Sequence, residues 1–339
     1  MEPNQSPKSG RGTVLVLGAR GRLGSLAAQA FVARGWRVLA LSRGETTALA
    51  GVEPIRADVL DQDVVLKAVL RAAPEGVDVI VHALNPHYAR WKTLLPPQTA
   101  AVLALARATG ATVMLPGNVY NFGRRLPEVL GESTPFVDDL PKAGQRIALE
   151  AELAAAAPAV RSIVIRAGDF IAPDGQGEQT WLKLGLTRQL EREVFSPLGP
   201  SGIVHAWAWL PDLAEVFVRV AERRQELSAH TVLHYEGLSL SADQIREALE
   251  GLIGRPLRVR PMAWWPLMAL GTVVPLLRAL VEMRYLWLRP HRLDGQRLQQ
   301  FLGAELPQTP LAQVLRQALG QSLSALRLTQ SAKASSQAG

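Results

Sequence analysis

The stretch TVLVLGARGRLGSLAAQAFVARGWRVLALS, residues 13–42, decides how this chain folds. A β-branched and leucine run (13–18) ends in glycine, a segment with helical apolar spacing (23–35) closes on Gly35, and a second apolar run (36–42) follows. The pattern predicts strand, helix, strand. Between the first two elements lies GARGRLG, residues 18–24, with glycines at 18, 21 and 24. Gly18 permits a tight turn and Gly21 lets the backbone approach a ligand. At Arg22, Leu23 and Gly24 the opening helix directs unpaired N–H groups and partial positive charge toward an anion. A glycine triplet alone is weak evidence, but within strand, loop, helix and strand it indicates a pyrophosphate cradle.

Outward from this unit the alternation continues. A strand at 53–57, a helix at 61–72, VDVIVHAL as strand, PQTAAVLALARATG as helix, ATVMLP as strand, IALEAELAAAA as helix and VRSIVIRAG as a sixth strand are expected. Strands separated by helices pair in parallel through right-handed crossovers, so the expected fold class is α/β, a doubly wound Rossmann-type sheet covered on both faces. Beyond residue 170 the alternation loosens. PDLAEVFVRVAERRQ (211–225) reads as a helix with Asp212 in its first turn, HTVLHYEG as a strand, and SADQIREALEGLIG as a helix opened by Ser241 and Gln244 at capping-box spacing. The expected organisation is a disordered tail at 1–11, a dinucleotide-binding domain at 12–225 with 171–205 partly in a second lobe, a smaller C-terminal substrate lobe at 226–327, and a disordered tail at 328–339.

Composition narrows the chemistry. The 339 residues include no cysteine, which removes disulfides, a thiolate nucleophile and cysteine zinc sites. The polar opening residues lack the apolar region of a secretory signal, consistent with a cytoplasmic protein. The net charge of +7 comes from scattered arginines without a basic block interleaved with aromatics, so nucleic acid is not an expected partner. His230 and His234 are four apart on a strand and no HExxH occurs, so no metal is expected. Neither a serine elbow nor a glycosidase-type carboxylate pair is evident. WWPLMALGTVVPLL (264–277) is apolar, interrupted by Pro266 and Pro275 and followed by Arg278. It is shorter than the roughly 20 residues that span a bilayer. A buried helix pair or the wall of an apolar pocket is expected, with a peripheral membrane anchor as the less favoured alternative.

The nucleotide preference turns on the end of the second strand. A carboxylate for ribose hydroxyls is expected there in an NAD site, but this strand ends in Ser42 and Arg43, with Arg20 in the glycine loop nearby. Two guanidinium groups suit a 2′-phosphate, which favours NADP and leaves NAD open. Asp58 and Val59 follow the third strand, where the carboxylate accepts from an adenine amino group or caps the next helix. NPHYARW (85–91) places Asn85, Tyr88 and Arg90 at the ligand end of the sheet, as a clamp on substrate or as a simple turn. His205 precedes WAWLPD and is either a substrate-facing acid or a hydrogen-bonded loop histidine.

Taken together, the glycine triplet, ADVLD after the third strand, VHALN after the fourth, RAGDFIAPD after the sixth and WAWLPDLAEVF further on resemble the extended short-chain dehydrogenase/reductases, the NAD-dependent epimerase/dehydratase family. The resemblance spans roughly residues 12–250. It implies a Rossmann domain that binds NAD(P) and a C-terminal lobe that binds a small-molecule substrate, often a nucleotide sugar. By the same resemblance Ala83, Leu84 and Asn85 line the cofactor, Ala167 and Gly168 form the loop near the nicotinamide, and Asp169 stands near substrate. The family uses a Ser or Thr after the fifth strand and Tyr-x-x-x-Lys on the following helix. Alignment puts Pro116 at the hydroxyl position, Lys142 at the tyrosine and Arg146 at the lysine. Tyr120 or Lys142 then stands in for the missing acid, Asn118 orients the substrate oxygen, and Arg146 contacts the cofactor ribose. A packing role for Tyr120 is the rival reading. The implied activity is hydride transfer at a carbinol or ketone carbon of a nucleotide-sugar-like or apolar substrate. A non-catalytic NADP(H) sensor and a membrane-surface protein with a secondary nucleotide site are the alternatives. Analogy alone raises a homodimer.

Overall fold

The computed structural model describes residues 11–44, 49–176, 178 and 180–326. Apart from Arg11, the expected tails at 1–11 and 328–339 lie outside these residues. The strands are β1 (Thr13–Leu17), β2 (Arg37–Ser42), β3 (Val52–Arg56), β4 (Val79–His82), β5 (Thr112–Gly117), β6 (Val129–Leu130), β7 (Ser162–Arg166), β8 (Asp169–Ile171), β9 (Val194–Phe195), β10 (Val204–Trp209), β11 (His230–His234), β12 (Leu238–Ser241), β13 (Arg258–Val259) and β14 (Arg292–Leu293). The helices are α1 (Arg22–Ala33), α2 (Gln62–Ala72), α3 (Trp91–Thr109), α4 (Pro141–Ala155), α5 (Leu210–Glu222), α6 (Ala242–Ile253), α7 (Trp264–Gly271), α8 (Pro275–Glu282), α9 (Gln296–Leu302) and α10 (Leu311–Ala318).

Seven parallel strands form the main sheet in the order β11-β7-β5-β4-β1-β2-β3. The chain belongs to the expected doubly wound α/β class, and β1 shows why its strands read as continuous apolar runs. Val14 and Val16 pack on one face with Ala27 and Phe31 of α1 and Phe217 of α5. Leu15 and Leu17 pack on the other with Val65 of α2, Val102 of α3 and Leu149 of α4. Both faces are buried, so alternation places every strand residue in a core. The strand order reverses between β1 and β4, which opens a crevice beyond their carboxyl ends.

A second sheet, β12-β10-β8, carries the remaining large core, where Trp207, Trp209, Phe195 and Trp287 pack with Ile245 of α6 and Leu315 of α10. The capping box at α6 is present: Ser241 Oγ accepts from the Gln244 N–H and Gln244 Oε1 accepts from the Ser241 N–H. Asp212 does more than start α5, since its carboxylate accepts from the Thr309 N–H at 2.8 Å and the Thr309 hydroxyl at 2.7 Å. Residues 230–234, beyond the expected division at 225, supply the seventh strand of the main sheet.

Two expectations need correction. The helix expected to begin at Pro97 begins at Trp91 and carries Pro96 and Pro97 inside it. Residues 264–277 do form a helix pair, but not a buried one. Trp264 is buried, whereas Trp265 is 74% exposed and Val273 76% exposed.

Candidate functional site

The glycine loop is shaped as a cradle. Gly18 has φ +81°, and a Cβ there would lie 2.7 Å from the Ala83 carbonyl oxygen; a Cβ on Gly24 would strike the Gly18 carbonyl. Gly18 therefore packs the end of β1 directly against the backbone of Ala83 and Leu84 beyond β4. Gly21 is the N-cap of α1, donates its N–H to Gly18 O at 2.8 Å and offers no side-chain cap. The first turn of α1 holds no acidic residue. Such a mouth, with helix N–H groups directed outward and no side chain over them at Gly21, fits a dinucleotide diphosphate.

At the end of β2, Ser42 is buried and its hydroxyl donates to Gly44 O at 3.0 Å. Arg20 Nη1 lies 2.8 Å from where a Gly44 Cβ would stand, so the Arg20 guanidinium rests on this turn. Arg43 is 71% exposed and approaches Asp58 at 3.9 Å. Asp58 Oδ1 accepts from the Leu60 N–H, which makes it a local turn former, and Val59 is buried beside it.

Beyond β4 and β5, two tyrosines meet. Tyr88 Oη and Tyr120 Oη lie 3.2 Å apart, and Trp91 packs against both rings at centroid distances of 5.0 and 6.2 Å. Desolvation raises both phenols above their ordinary pKa, Tyr120 by more. The Asp169 carboxylate is near enough to raise both further. Arg22 and Arg146 pull Tyr88 back down, and Arg146 also lies close enough to interact with Tyr120. Asn118 Oδ1 accepts from the Tyr120 N–H at 3.0 Å, an Asx turn that starts the 3-10 turn carrying the tyrosine. Its side-chain oxygen is thus occupied by the backbone.

Lys142 and Arg146 on α4 are both buried. Lys142 Nζ donates to Glu282 Oε2 at 2.8 Å and lies 5.2 Å from the Tyr88 ring centroid. Desolvation lowers its pKa, while Glu282 opposes the shift. Arg146 Nη2 donates to Pro116 O at 2.6 Å and its guanidinium faces Trp91. Burial lowers its pKa too.

From the second sheet, Asp169 Oδ2 and His205 Nε2 pair at 2.8 Å, and the His205 ring stacks on Trp287 at 4.0 Å. Gly168 precedes Asp169 because a Cβ there would strike the Ala206 carbonyl on β10. Ala167 is buried beside it. Asn85 and Arg90 are exposed at the rim, and Arg90 O accepts from the Thr93 hydroxyl. The expected residues Tyr88, Tyr120, Lys142, Arg146, Asp169 and His205 thus come together, while Arg20, Ser42, Arg43 and Asp58 group at the far end of the crevice.

Two participants escaped sequence reasoning. Glu282 ends α8 and reaches Lys142 across 140 residues. Tyr285 has a buried hydroxyl with no hydrogen-bond partner among the described residues; burial raises its pKa and Asp169 adds to the shift. Both lie in an apolar stretch with no motif around them; only the scarcity of tyrosine, four in the chain, offered a signal.

A glycine cradle at the switch point of a parallel sheet, facing a cluster of phenols and cations, defines a dinucleotide-binding α/β scaffold. The chain belongs to the NAD-dependent epimerase/dehydratase family, whose model matches residues 14–233. A curated relative, the 3-diazoavenalumate denitrifying reductase of Streptomyces sp, is 32% identical over 175 residues, 47% of this chain. The match spans 57% of that relative's length. Among solved structures, a Burkholderia cenocepacia J2315 protein assigned as an epimerase superposes with a TM-score of 0.74 at 17% identity, covering 92% of this chain and 98% of that one. UDP-glucose 4-epimerase from Brucella ovis, in complex with NAD, superposes with a TM-score of 0.70 at 18% identity, covering 92% and 98%. At these identities the likeness is one of fold.

Proposed function

We propose that this chain is an NADP(H)-preferring reductase that delivers hydride to a ketone-type carbon of an apolar or nucleotide-sugar-like substrate. The observation that carries this reading is the Tyr88 and Tyr120 hydroxyl pair, 3.2 Å apart and set beside Asp169. The nicotinamide, when bound, supplies the hydride. Tyr88 then donates its phenolic proton to the substrate oxygen; Tyr120 stays protonated and donates its hydroxyl to the Tyr88 phenolate oxygen, holding that charge until a proton from solvent restores Tyr88. Phenols raised by burial and by Asp169 stay protonated at neutral pH, and the alkoxide that forms on the substrate is the stronger base, so they act as acids toward it. They would serve poorly as bases, which argues against oxidation or epimerisation beginning with proton removal. The reductase name of the Streptomyces relative points the same way.

Arg22 and Arg146 favour the charged form of Tyr88 as its proton leaves, in place of the family's lysine. Lys142, held by Glu282, fixes the floor under the Tyr88 ring. Asp169 orients His205 toward the substrate side, where Tyr285 offers a further hydroxyl. Arg20 and Arg43 supply charge for a 2′-phosphate, and the glycine cradle supplies N–H groups for the diphosphate.

Purified protein is tested for oxidation of NADPH, followed by absorbance, over a panel of apolar ketones and keto-sugar nucleotides. Tyr88→Phe is expected to lower turnover about 100- to 10,000-fold while calorimetric affinity for NADPH persists. Full turnover in Tyr88→Phe would overturn its role. A second reading, a non-catalytic NADP(H) sensor, draws on Lys142 and Arg146 being engaged by Glu282 and Pro116 at the family's acid and cation positions. Tight NADPH binding with no turnover across the panel would favour it.

A further inference from the structure

We infer that the α7–α8 hairpin docks on an anionic phospholipid surface. The hairpin is rooted in the protein by Trp264, which is buried and donates its indole N–H to Leu198 O at 2.7 Å. Its other side is bare. Trp265, Met268, Leu270, Val273 and Val274 are exposed by 74, 46, 52, 76 and 39%. Positions 265, 268, 269 and 272 fall at helical intervals of three, four and seven, so one stripe of α7 faces outward and runs into the turn.

The charge around this patch selects its occupant. From Gly251 to Val281 the sequence contains no Asp or Glu and four arginines, at 255, 258, 260 and 278; Arg255 is paired with Glu193 at 2.9 Å, and Glu282, which closes α8, is paired with Lys142. Arg284 adds a fifth guanidinium beside the hairpin, 5.8 Å from the Trp264 ring centroid and within 3.9 Å of Met268 Sδ. Apolar side chains with arginines behind them match an anionic lipid headgroup layer over acyl chains. Between Ala263 and Pro275 the only hydroxyl, amide or charged side chain is Thr272, and its hydroxyl already donates to Ala269 O. The tip therefore offers little directional hydrogen bonding for a protein partner to read, whereas a lipid surface needs none. Trp265 suits the boundary, where its ring is buried and its N–H stays wet. Among the described residues no helix is long and apolar enough to cross a membrane, so the hairpin lies on the surface.

This inference is independent of the reaction proposed above. Full-length protein is sedimented with vesicles of phosphatidylcholine alone and of phosphatidylcholine with phosphatidylglycerol, at low and high salt. Binding is expected only to the anionic vesicles, weakened as salt rises. The Trp265→Ser/Val273→Ser variant is expected to lower partition about tenfold or more. Both side chains are exposed, so its thermal melt should match that of the parent; a shifted melt moves the test to Met268→Ser/Val274→Ser. Absence of binding to anionic vesicles overturns the inference, as does binding unaffected by both variants. Self-association abolished by the same substitutions, without vesicle binding, would assign the face to a second copy of the chain instead.

Discussion

Tyr88 and Tyr120 share one hydrogen bond, but their surroundings divide the work between them. Tyr120 is the more deeply buried and has its phenol raised by burial, by Tyr88 and by Asp169. Arg146 interacts with both, whereas Arg22 acts on Tyr88, whose phenol is raised less and so gives up its proton at the lower cost. An acid must be protonated to act, so reduction is lost as pH rises through the donor's pKa. With the phenols above their usual value near 10, the rate should stay level from pH 6 to 9 and fall only above 10. Lys142 would behave differently. Desolvation lowers its pKa from the ordinary 10.5, so a lysine donor would lose activity at lower pH. An alkaline limb below 10 that disappears in Lys142→Met would transfer the role to the lysine. Sequence alone singled out Tyr120 and Lys142 and read Tyr88 only as a clamp, because the contact between the two tyrosines spans 32 residues and no local spacing encodes it.

Between elements, the site rests on a buried ion pair. Arg166, at the end of β7, reaches Glu150 of α4 at 2.6 and 3.1 Å, donates to Asn118 O at 2.6 Å and to His234 Nε2 at 3.2 Å. The two charged side chains are 0 and 5% exposed. Breaking such a pair leaves one charge buried without its counterion, so Glu150→Gln should cost about 3–5 kcal/mol in denaturant unfolding. The double variant Glu150→Leu/Arg166→Met should recover part of that loss, and a double-mutant cycle measures the coupling. Asn118, whose carbonyl ends this network, should then lose its hold on the Tyr120 turn. Gly18→Ala should destabilise by roughly 1–2 kcal/mol from its positive φ alone, and the Ala83 carbonyl in its way should also weaken NADPH binding. Strand identity was legible because burial on both faces leaves long apolar runs, as in β1 and β7. The start of α3 was not, since Pro96 and Pro97 read as a boundary while Trp91 and Leu95 bury an extra turn in the core. The hairpin was legible as helices but not as exposed ones, because hydropathy states a preference for burial and not whether any partner surface is present.

Across the whole molecule, three of the four buried histidines have strongly lowered pKa values and weaken the fold in acid. Burial lowers His82 to about 3, helped by Arg146, lowers His291 to about 3, helped by His205, and lowers His234 to about 4, helped by Arg166. They belong to the end of β4, the segment before β14 and the end of β11, so no single element absorbs the effect. In the unfolded chain each titrates near the ordinary 6.5. Their folded values are depressed, so the unfolded state binds more protons between about 6.5 and 4, and stability is lost as pH falls through that window. At about 1.4 kcal/mol per unit, His234 alone contributes a loss of about 3 kcal/mol on approaching pH 4. The formal net charge is already +7 with histidines neutral, so every proton taken up adds to self-repulsion. Carboxylates held by partners, such as Asp174 beside Lys183, have their pKa lowered and give way only in stronger acid. Thermal unfolding followed by calorimetry should therefore show Tm falling steadily from pH 7 to pH 4, with net proton uptake on unfolding at pH 5.5. A Tm that stays level down to pH 4 would mean that these imidazoles are hydrated or paired in the folded protein.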